Sequence, residues 1–529
     1  MLGQLALSTF VPAITEKRRT SRATYLQAQP ASLWPGQTTA DHEPVAWMWL
    51  LLLVIIATVL RGLALNQQLW FDEYVTLLDS ARLPFARIVT EYGGQNQHML
   101  YSILAHGSIR LLGEQPWTLR LPAVFFGVAS IPALYFFGRL ITTNLEALLA
   151  CALLTVNYQH VWFSQNARGY TGMLFWTLLS SIYFLRCANR GNTRDWVLYG
   201  VTLALGIYTH LMMACVLAGH VLLYLWMLAS RSKEVQLRSR TSLAPVYGFL
   251  LCGFLSFLLY APVIPRVLAH TFGSARDTVH YEWASPLWAL AELLRGLRST
   301  TAGGLLAVVI GGVILLSGLL SYWREDRYTV GLMVLPGLMT AVAVTVAGHN
   351  FWPRFFFFEI AFAMLLVVRG AMVLGKLASR TLGRSEQFGF QSGTAAVLVM
   401  TLASIVPLRA EYRYPKQDYV GALQFLDEHR RPGELILTAG SVTSPFQRYY
   451  GRRWPIALTR GQLETALLAE HPTWMVYAMP NSIRSSQPEV WDVIENRFIV
   501  VRAFPGTLGG GTIYISQSKQ RGEPATPPR

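Results

Sequence analysis

The sequence predicts a mainly α-helical protein that crosses a membrane many times and carries an extracytoplasmic α/β domain at its C-terminal end. Three observations predict this. Of 529 residues, 53% are hydrophobic and only 14% are charged, whereas soluble proteins carry about 25% charged residues; the mean hydropathy is +0.35. Apolar runs recur from residue 46 to residue 408, many near the ~20 residues that a helix needs to cross the hydrocarbon core. From residue 409 the apolar runs give way to alternating helix-like and strand-like periods. The net charge of +15 would point to nucleic acid in a soluble protein. Here the basic residues gather in short loops between apolar runs, so they read as topology signals and no nucleic-acid partner is expected.

The elements follow in order. Residues 1–44 are rich in Pro, Thr, Gln and Ala and read as a disordered cytoplasmic tail. Their mildly apolar start precedes Lys17, Arg18, Arg19 and Arg22, the reverse of signal-peptide order. The membrane domain is expected over 45–408. Its first span, 47–60, runs outward from the basic tail and delivers a first outer loop, 63–117, to the far side. The apolar piece 98–113 is short and carries His106 and Arg110, so it reads as an interfacial or re-entrant helix. Spans at 119–140, 145–163, 172–185, 196–209 and 211–229 then alternate in direction. This parity leaves Arg139, Arg186, Arg190, Arg194, Arg231, Lys233, Arg238 and Arg240 in the cytoplasm; if 98–113 spanned, all would lie outside.

Residues 244–264 run outward to an outer loop, 265–301, with Trp283 and Trp288 as interface anchors. Spans at 303–322, 329–348, 356–374 and 395–408 complete about eleven. Residues 409–516 form the α/β domain. The stretch "DYVGALQFLDEHRRPGELILTAG" reads as an amphipathic helix, a Pro-Gly turn and a strand. Further pieces follow at 459–470, 473–477, 488–497, 498–504 and 511–516, and 517–529 reads as a frayed tail. Cys151, Cys187, Cys215 and Cys252 lie in or beside apolar runs without ligand spacing and are expected to be core residues.

Parity brings several polar groups to the outer face. "LWFDEYVTLL" holds Asp72, Glu73 and Tyr74; "NQHMLY" holds His98 and Tyr101. "SQNARGY" holds Arg168 and Tyr170, "HNFWPRF" holds His349 and Arg354, and "YTH" ends in His210. Charged groups at membrane depth are costly and usually pair or line a wet cavity. Each has a plainer reading alone: a loop pair or helix-end charge for the acids, a snorkelling side chain for Arg168, packed polar groups for His98 and His210. Both signs on one face, however, suit a lipid-linked phosphate held beside a carboxylate base, because arginine grips phosphate oxygens with parallel hydrogen bonds and a carboxylate can take a proton from an attacking hydroxyl. Asp72, Glu73, His98 and His210 could in principle hold a divalent ion, but the spacing is not diagnostic. No metal ligand is assigned and no cofactor is expected to be required.

These motifs, in this order, resemble bacterial membrane glycosyltransferases of the GT-C superfamily, family 39-like, related to protein O-mannosyltransferases and the lipid A aminoarabinose transferase. The residues that carry the resemblance are "WFDEYVT", "NQHMLY", "WTLRLPAVFFGVASIPALYFFGRL", "HVWFSQNARGYT", "YTH", "PRFF" and "KQDYVGALQFL". The resemblance implies a sugar leaving a polyprenyl-phosphate carrier on the outer face for an acceptor glycan, lipid or protein. It implies Asp72 as the catalytic carboxylate, Glu73 as its supporting acid, Arg354 beside the carrier phosphate and Arg168 in the same cavity. Departures are visible. Many relatives have His-Pro-Pro-Leu or Lys-Pro-Pro-Leu where this chain has "QHML", some have an acid just after the "AR" pair, and here Phe355 follows Arg354 where relatives have Tyr.

The expected reaction is a single displacement with Asp72 as base, in the inner membrane of a bacterium, with the N-terminus cytoplasmic. The rival readings are a transporter or flippase of lipid-linked sugars, a polysaccharide polymerase or ligase, and a non-catalytic binder of lipid carriers. No internal repeat of the kind common in transporters is visible.

Overall fold

The computed structural model describes residues 43–94, 96–230, 243–272, 304–468 and 471–519. The expectations for the tail (apart from Glu43 and Pro44), for Arg231, Lys233, Arg238 and Arg240, for Trp283 and Trp288, and for 520–529 fall outside the described residues.

The first helix, α1 (Glu43–Gly62), begins with Pro44 in its first turn. It presents Trp47, Leu51, Ile55 and Val59 outward, as a lipid-facing helix should. Three short helices follow: α2 (Phe71–Thr76), α3 (Phe85–Thr90) and α4 (Met99–Leu112). At 14 residues α4 is too short to span, as its sequence predicts. The bundle continues with α5 (Pro116–Ile141), α6 (Asn144–Val156), α7 (Tyr158–Ser164), α8 (Tyr170–Arg190), α9 (Thr193–Thr209) and α10 (Met213–Ser230). It is completed by α11 (Ala244–Tyr260), α12 (Ile264–Phe272), α13 (Gly304–Glu325), α14 (Arg327–Val346), a tight 3-10 segment Pro353–Glu359, α15 (Ile360–Thr381) and α16 (Glu386–Ala403).

Helices thus occur at all eleven expected positions, but among the described residues seven are long and apolar enough to cross a membrane, or eight if the bent pair α11–α12 counts as one span. The shortfall has local causes. The expected span 145–163 is broken at Asn157, whose side chain leaves the helical path to accept His160 N at 2.9 Å and start α7. Helix α9 has only 17 residues. Helix α8 is long enough but polar: Thr171, Thr177, Ser180 and Ser181 are buried along it, and neighbouring helices or its own backbone, rather than lipid, satisfy them. An α-helix buried among others need not be oily all round.

Close packing depends on small residues. Helices α13 and α15 cross at Gly318 and Gly370, where a Cβ would collide with Leu366 O or Ile314 O. Such sites let backbones approach in the absence of a hydrophobic drive between helices in lipid.

After α16 the chain passes through α17 (Leu408–Arg413) and α18 (Tyr419–His429) into a four-stranded mixed sheet, β1 (Leu435–Ala439), β2 (Thr473–Ala478), β3 (Phe498–Phe504) and β4 (Ile513–Ser518). The spatial order is β1-β2-β4-β3, with β1 and β2 parallel and the other pairings antiparallel. Helices α19 (Arg460–Ala466), α20 (Pro480–Ser486) and α21 (Pro488–Arg497) connect the strands. Strand β2 is buried along its whole length, so it reads as a continuous apolar run. The alternation of helix and strand matches the sequence expectation for this region. A shared apolar cluster joins it to the membrane bundle, uniting Leu69, Tyr74 and Tyr101 with Tyr419, Phe446 and Ile515.

Candidate active site

Asp72 and Glu73 sit in the first turn of α2, where acidic side chains favour the helix N-terminus. Successive helical residues point about 100° apart, and the two carboxylates meet different partners.

Glu73 is fully buried and closed on all sides. Arg120, from the start of α5, grips it with Nε at 2.7 Å and Nη2 at 2.6 Å. Ala167 N donates to Glu73 Oε1 at 2.7 Å, and Trp70 N donates to Oε2 at 3.3 Å. Burial alone would push this carboxyl up. The Arg120 charge and hydrogen bonds, with Lys416 and the Ala167 N–H, outweigh burial and hold it below the usual carboxylate range. Arg120 also donates to Leu65 O, Gln67 O and Gln68 O, so the pair ties the segment between α1 and α2 to α5 and to the "SQNARGY" loop.

Asp72 faces two other arginines. Arg354 Nη1 lies 3.5 Å from Asp72 Oδ2, and Arg168 Nη2 lies 3.9 Å from the same oxygen. These are loose ion pairs beside the Glu73–Arg120 contact. Arg168 is buried and aimed by Asn96, which accepts from Nη1 at its carbonyl (2.8 Å) and from Nη2 at Oδ1 (3.0 Å). Its Nε, also buried, makes no hydrogen bond among the described residues. Arg354 enters from the 3-10 segment Pro353–Glu359, with a side chain 32% exposed, and stacks over Trp352 with 5.1 Å from guanidinium carbon to ring centroid.

A ring wall stands next to these charges. His98 and His210 have ring centroids 4.4 Å apart, and Tyr170 lies 5.5 Å from His98 and 5.0 Å from His210. Backbone donors fix both imidazoles: Gly169 N donates to His98 Nδ1 at 2.7 Å, and Met212 N donates to His210 Nδ1 at 3.2 Å. An Nδ1 that accepts leaves the ring proton on Nε2. Burial, with the nearby positive Arg168, drives both below the ordinary histidine value, His98 far below and His210 to about 3. Gly169 is required at this contact, since a Cβ would stand 2.8 Å from both His98 Nδ1 and Thr209 O.

The remaining expected residues have other surroundings. Tyr74 donates or accepts at Tyr450 OH (2.8 Å) and packs on Tyr419 and Tyr449, so it faces the C-terminal region. Tyr101 is buried and donates to Leu119 O at 2.7 Å, joining α4 to α5. His349 is half-buried in the turn after α14, its backbone N donating to Val344 O. Arg120 was missed by sequence reasoning, although an arginine at the outer end of an apolar run is a signal in itself. Asn96, Lys416 and Gln417 were also missed, and no spacing rule marks them.

Part of the chain matches a known protein family, and the fold matches solved structures. Residues 97–265 match the family described as dolichyl-phosphate-mannose-protein mannosyltransferase, a stretch that includes His98, Arg168 and His210. This stretch, about a third of the chain, is similar to glycosyltransferases that use a lipid-phosphate sugar. That description names a transferase with a dolichyl-phosphate sugar, which favours the transferase reading over the transporter reading. Solved structures share the fold. ArnT from Cupriavidus metallidurans in the apo state matches with a TM-score of 0.51 at 12% identity, over 89% of this chain and 98% of that one. ArnT bound to undecaprenyl phosphate matches with a TM-score of 0.50 at 11% identity, over 90% and 98%. The Archaeoglobus fulgidus oligosaccharyltransferase in complex with zinc and sulfate matches with a TM-score of 0.50 at 13% identity, over 88% of this chain and 72% of that one. Comparison with curated proteins gives no match.

The zinc in that archaeal structure prompts a test of fit. Among the described residues of this chain no three His, Cys, Asp or Glu side chains gather in metal-binding geometry. At the site itself, Asp72 stands between two guanidiniums, and the Nδ1 atoms of His98 and His210 are occupied by backbone N–H groups. This donor set suits an anion better than a divalent cation.

Proposed function

We propose that the protein moves a sugar from a polyprenyl-phosphate carrier to a hydroxyl or amine acceptor at the outer face of a bacterial plasma membrane, by single displacement with inversion. The observation that carries the reading is the meeting of Asp72 with Arg168 and Arg354, which arrive from three separate segments at one carboxylate oxygen. The fold shared with ArnT, which binds undecaprenyl phosphate, supports the carrier class. The basic loops on the opposite side support an N-terminus in the cytoplasm and a C-terminal region outside.

The resting ion pairs suggest the order of events. An incoming donor phosphate competes with Asp72 for Arg354, whose side chain is the more exposed of the two arginines. Arg168 turns its unbonded Nε to the same anion. As the guanidiniums move to phosphate, the carboxylate is released to face the acceptor. Asp72 then takes the acceptor proton. The acceptor oxygen or nitrogen bonds to the anomeric carbon while the carbon–oxygen bond to phosphate breaks, and the electron pair leaves on polyprenyl phosphate. The arginines neutralise the departing charge, and the logic parallels the base role in inverting glycosidases. His98, His210 and Tyr170 form the wall against which the sugar packs. Glu73 serves as the supporting acid: it holds Arg120 and the Ala167 amide, and through them the loop that bears Arg168.

The test is transfer of labelled sugar from undecaprenyl-phosphate hexoses and pentoses by the purified protein, with envelope membranes of a strain lacking the gene as acceptor. Asp72→Asn is expected to lower transfer by about 10²- to 10⁴-fold with normal folding. Undiminished transfer in that variant would sink the assignment.

A further inference from the structure

After its last span the chain comes back to the site. Residues 415–420 are anchored on the C-terminal region: Thr507 N donates to Pro415 O at 2.9 Å and Leu508 N to Lys416 O at 3.2 Å. The approach is so tight that a Cβ on Gly506 would collide with Lys416 O. From this anchored backbone two buried side chains reach the other way. Lys416 Nζ donates to Gln165 O at 2.8 Å, in the loop that carries Arg168. Gln417 Oε1 accepts Phe71 N at 2.9 Å, at the first residue of α2, next to Asp72. The first amides of a helix have no partner within it, so this glutamine fixes where α2 begins. Two outer contacts brace the arrangement: Gln68 Nε2 donates to Asp418 Oδ1 at 2.7 Å, and Val420 N donates to Gln68 Oε1 at 2.9 Å.

We propose that Lys416 and Gln417 are positioning residues that set the spacing between Asp72 and Arg168, which makes the C-terminal region a working part of the transferase centre. The inference rests on the roles proposed above for Asp72 and Arg168. The chemistry of the contacts favours positioning over simple adhesion. Apolar side chains would have sufficed to glue the two regions together, as they do around Tyr419 and Ile515. A fully buried lysine is instead an expensive choice: burial lowers its proton affinity, and Glu411 at 3.5 Å offsets that cost only in part. What the lysine and the glutamine add is direction: besides their contacts to Glu411, Gly511 O and Tyr419 OH, each reaches a main-chain atom in a segment that carries a residue of the charge cluster.

The test uses the full chain with Gln417→Leu and Lys416→Met, read by kcat and KM for an undecaprenyl-phosphate hexose, by binding of undecaprenyl phosphate, and by thermal unfolding. A small displacement of reacting groups costs up to about 100-fold in rate, so kcat per folded molecule is expected to fall about 10- to 100-fold. Affinity for undecaprenyl phosphate should hold within about threefold, since Arg354, which meets the carrier first, is anchored elsewhere. A plain structural role would lower the folded fraction and leave kcat per folded molecule at the wild-type level, and that result overturns the proposal. If Lys416→Met does not fold, Gln417→Leu decides alone, because it removes side-chain hydrogen bonds without stranding a charge. Transfer retained by Asp72→Asn would overturn the underlying reading instead, so the two failures are distinguishable.

Discussion

Asp72 and Glu73 are neighbours in sequence and opposites in structure. Glu73 has no exposed surface and four donors within 3.3 Å, two of them from one guanidinium. Asp72 meets its two guanidiniums only at 3.5 and 3.9 Å, and one of them is a third exposed. Charge-assisted hydrogen bonds at 2.6–2.7 Å are strong and directional, while a separation near 4 Å is held mainly by charge. The difference teaches how one helical turn can supply both a fixed strut and a group free to react. A carboxylate saturated with donors cannot accept a further proton without losing them; a loosely paired one can.

This contrast can be broken in activity or in stability. The largest effect is the loss of transfer in Asp72→Asn described above, at unchanged folding. Glu73→Gln should do the reverse. Removing one partner of a buried ion pair costs about 3–5 kcal/mol, so the folded yield and unfolding temperature of Glu73→Gln should drop sharply. Replacing Arg120 by Met as well should recover part of that loss in a double-mutant cycle. A Glu73→Gln variant with wild-type stability would erase the distinction between the two acids.

Arg354→Ala sharpens the comparison from the Asp72 side. A hydrogen bond to a charged group contributes about 1.5–3 kcal/mol, so affinity for undecaprenyl phosphate should weaken about 10- to 100-fold at nearly normal stability. Arg354→Lys should recover only part of it, because the ammonium cannot make the paired contact. Unaltered binding in Arg354→Ala would remove this residue from the carrier site.

The smallest effect concerns pH. His98 and His210 both have lowered proton affinity in the folded protein, by burial first and then by Arg168. Below the ordinary histidine value near 6.5 the unfolded chain therefore binds protons that the folded chain refuses. For His210 the stability present above pH 6.5 is lost progressively as pH falls towards about 3. The slope is at most about 1.4 kcal/mol per pH unit for each histidine. Unfolding temperature should be lower at pH 5 than at pH 7, and His210→Phe should flatten that dependence. An equally steep dependence in His210→Phe would show that this ring stays neutral for no energetic reason of its own.

Much of the architecture was legible in the sequence because lipid imposes a simple rule on residues that face it. Helix α1 shows this, with its outward Trp47, Leu51 and Ile55. The C-terminal alternation was legible for a similar reason, since β2 is buried throughout and α21 carries its apolar residues on one side. The span count was less legible. Helices α6, α8 and α9 are enclosed by protein, where Thr177 and Ser181 find partners on neighbouring helices, so length and apolarity no longer report whether a helix crosses. Charge out of place in the sequence singled out Asp72, Arg168 and Arg354, which the structure brings together. Tyr101 and Tyr74 carried the same motif context yet point to Leu119 O and Tyr450, which no spacing could reveal.

By itself the sequence determined the membrane character of the chain, the placing of both acids just after the first apolar helix and the sheet-bearing region near the C-terminus. These follow from local composition and from period, which act through the solvent each residue meets. Only the tertiary structure decided which acid is locked and which is available, because that depends on donors far away in the chain. Arg120, Ala167 and Trp70 close around Glu73, Arg168 and Arg354 stand off from Asp72, and Lys416 with Gln417 reaches back to hold both sides. Hydrogen-bond geometry is settled by fractions of an ångström between segments hundreds of residues apart, and a linear pattern carries no measure of that distance.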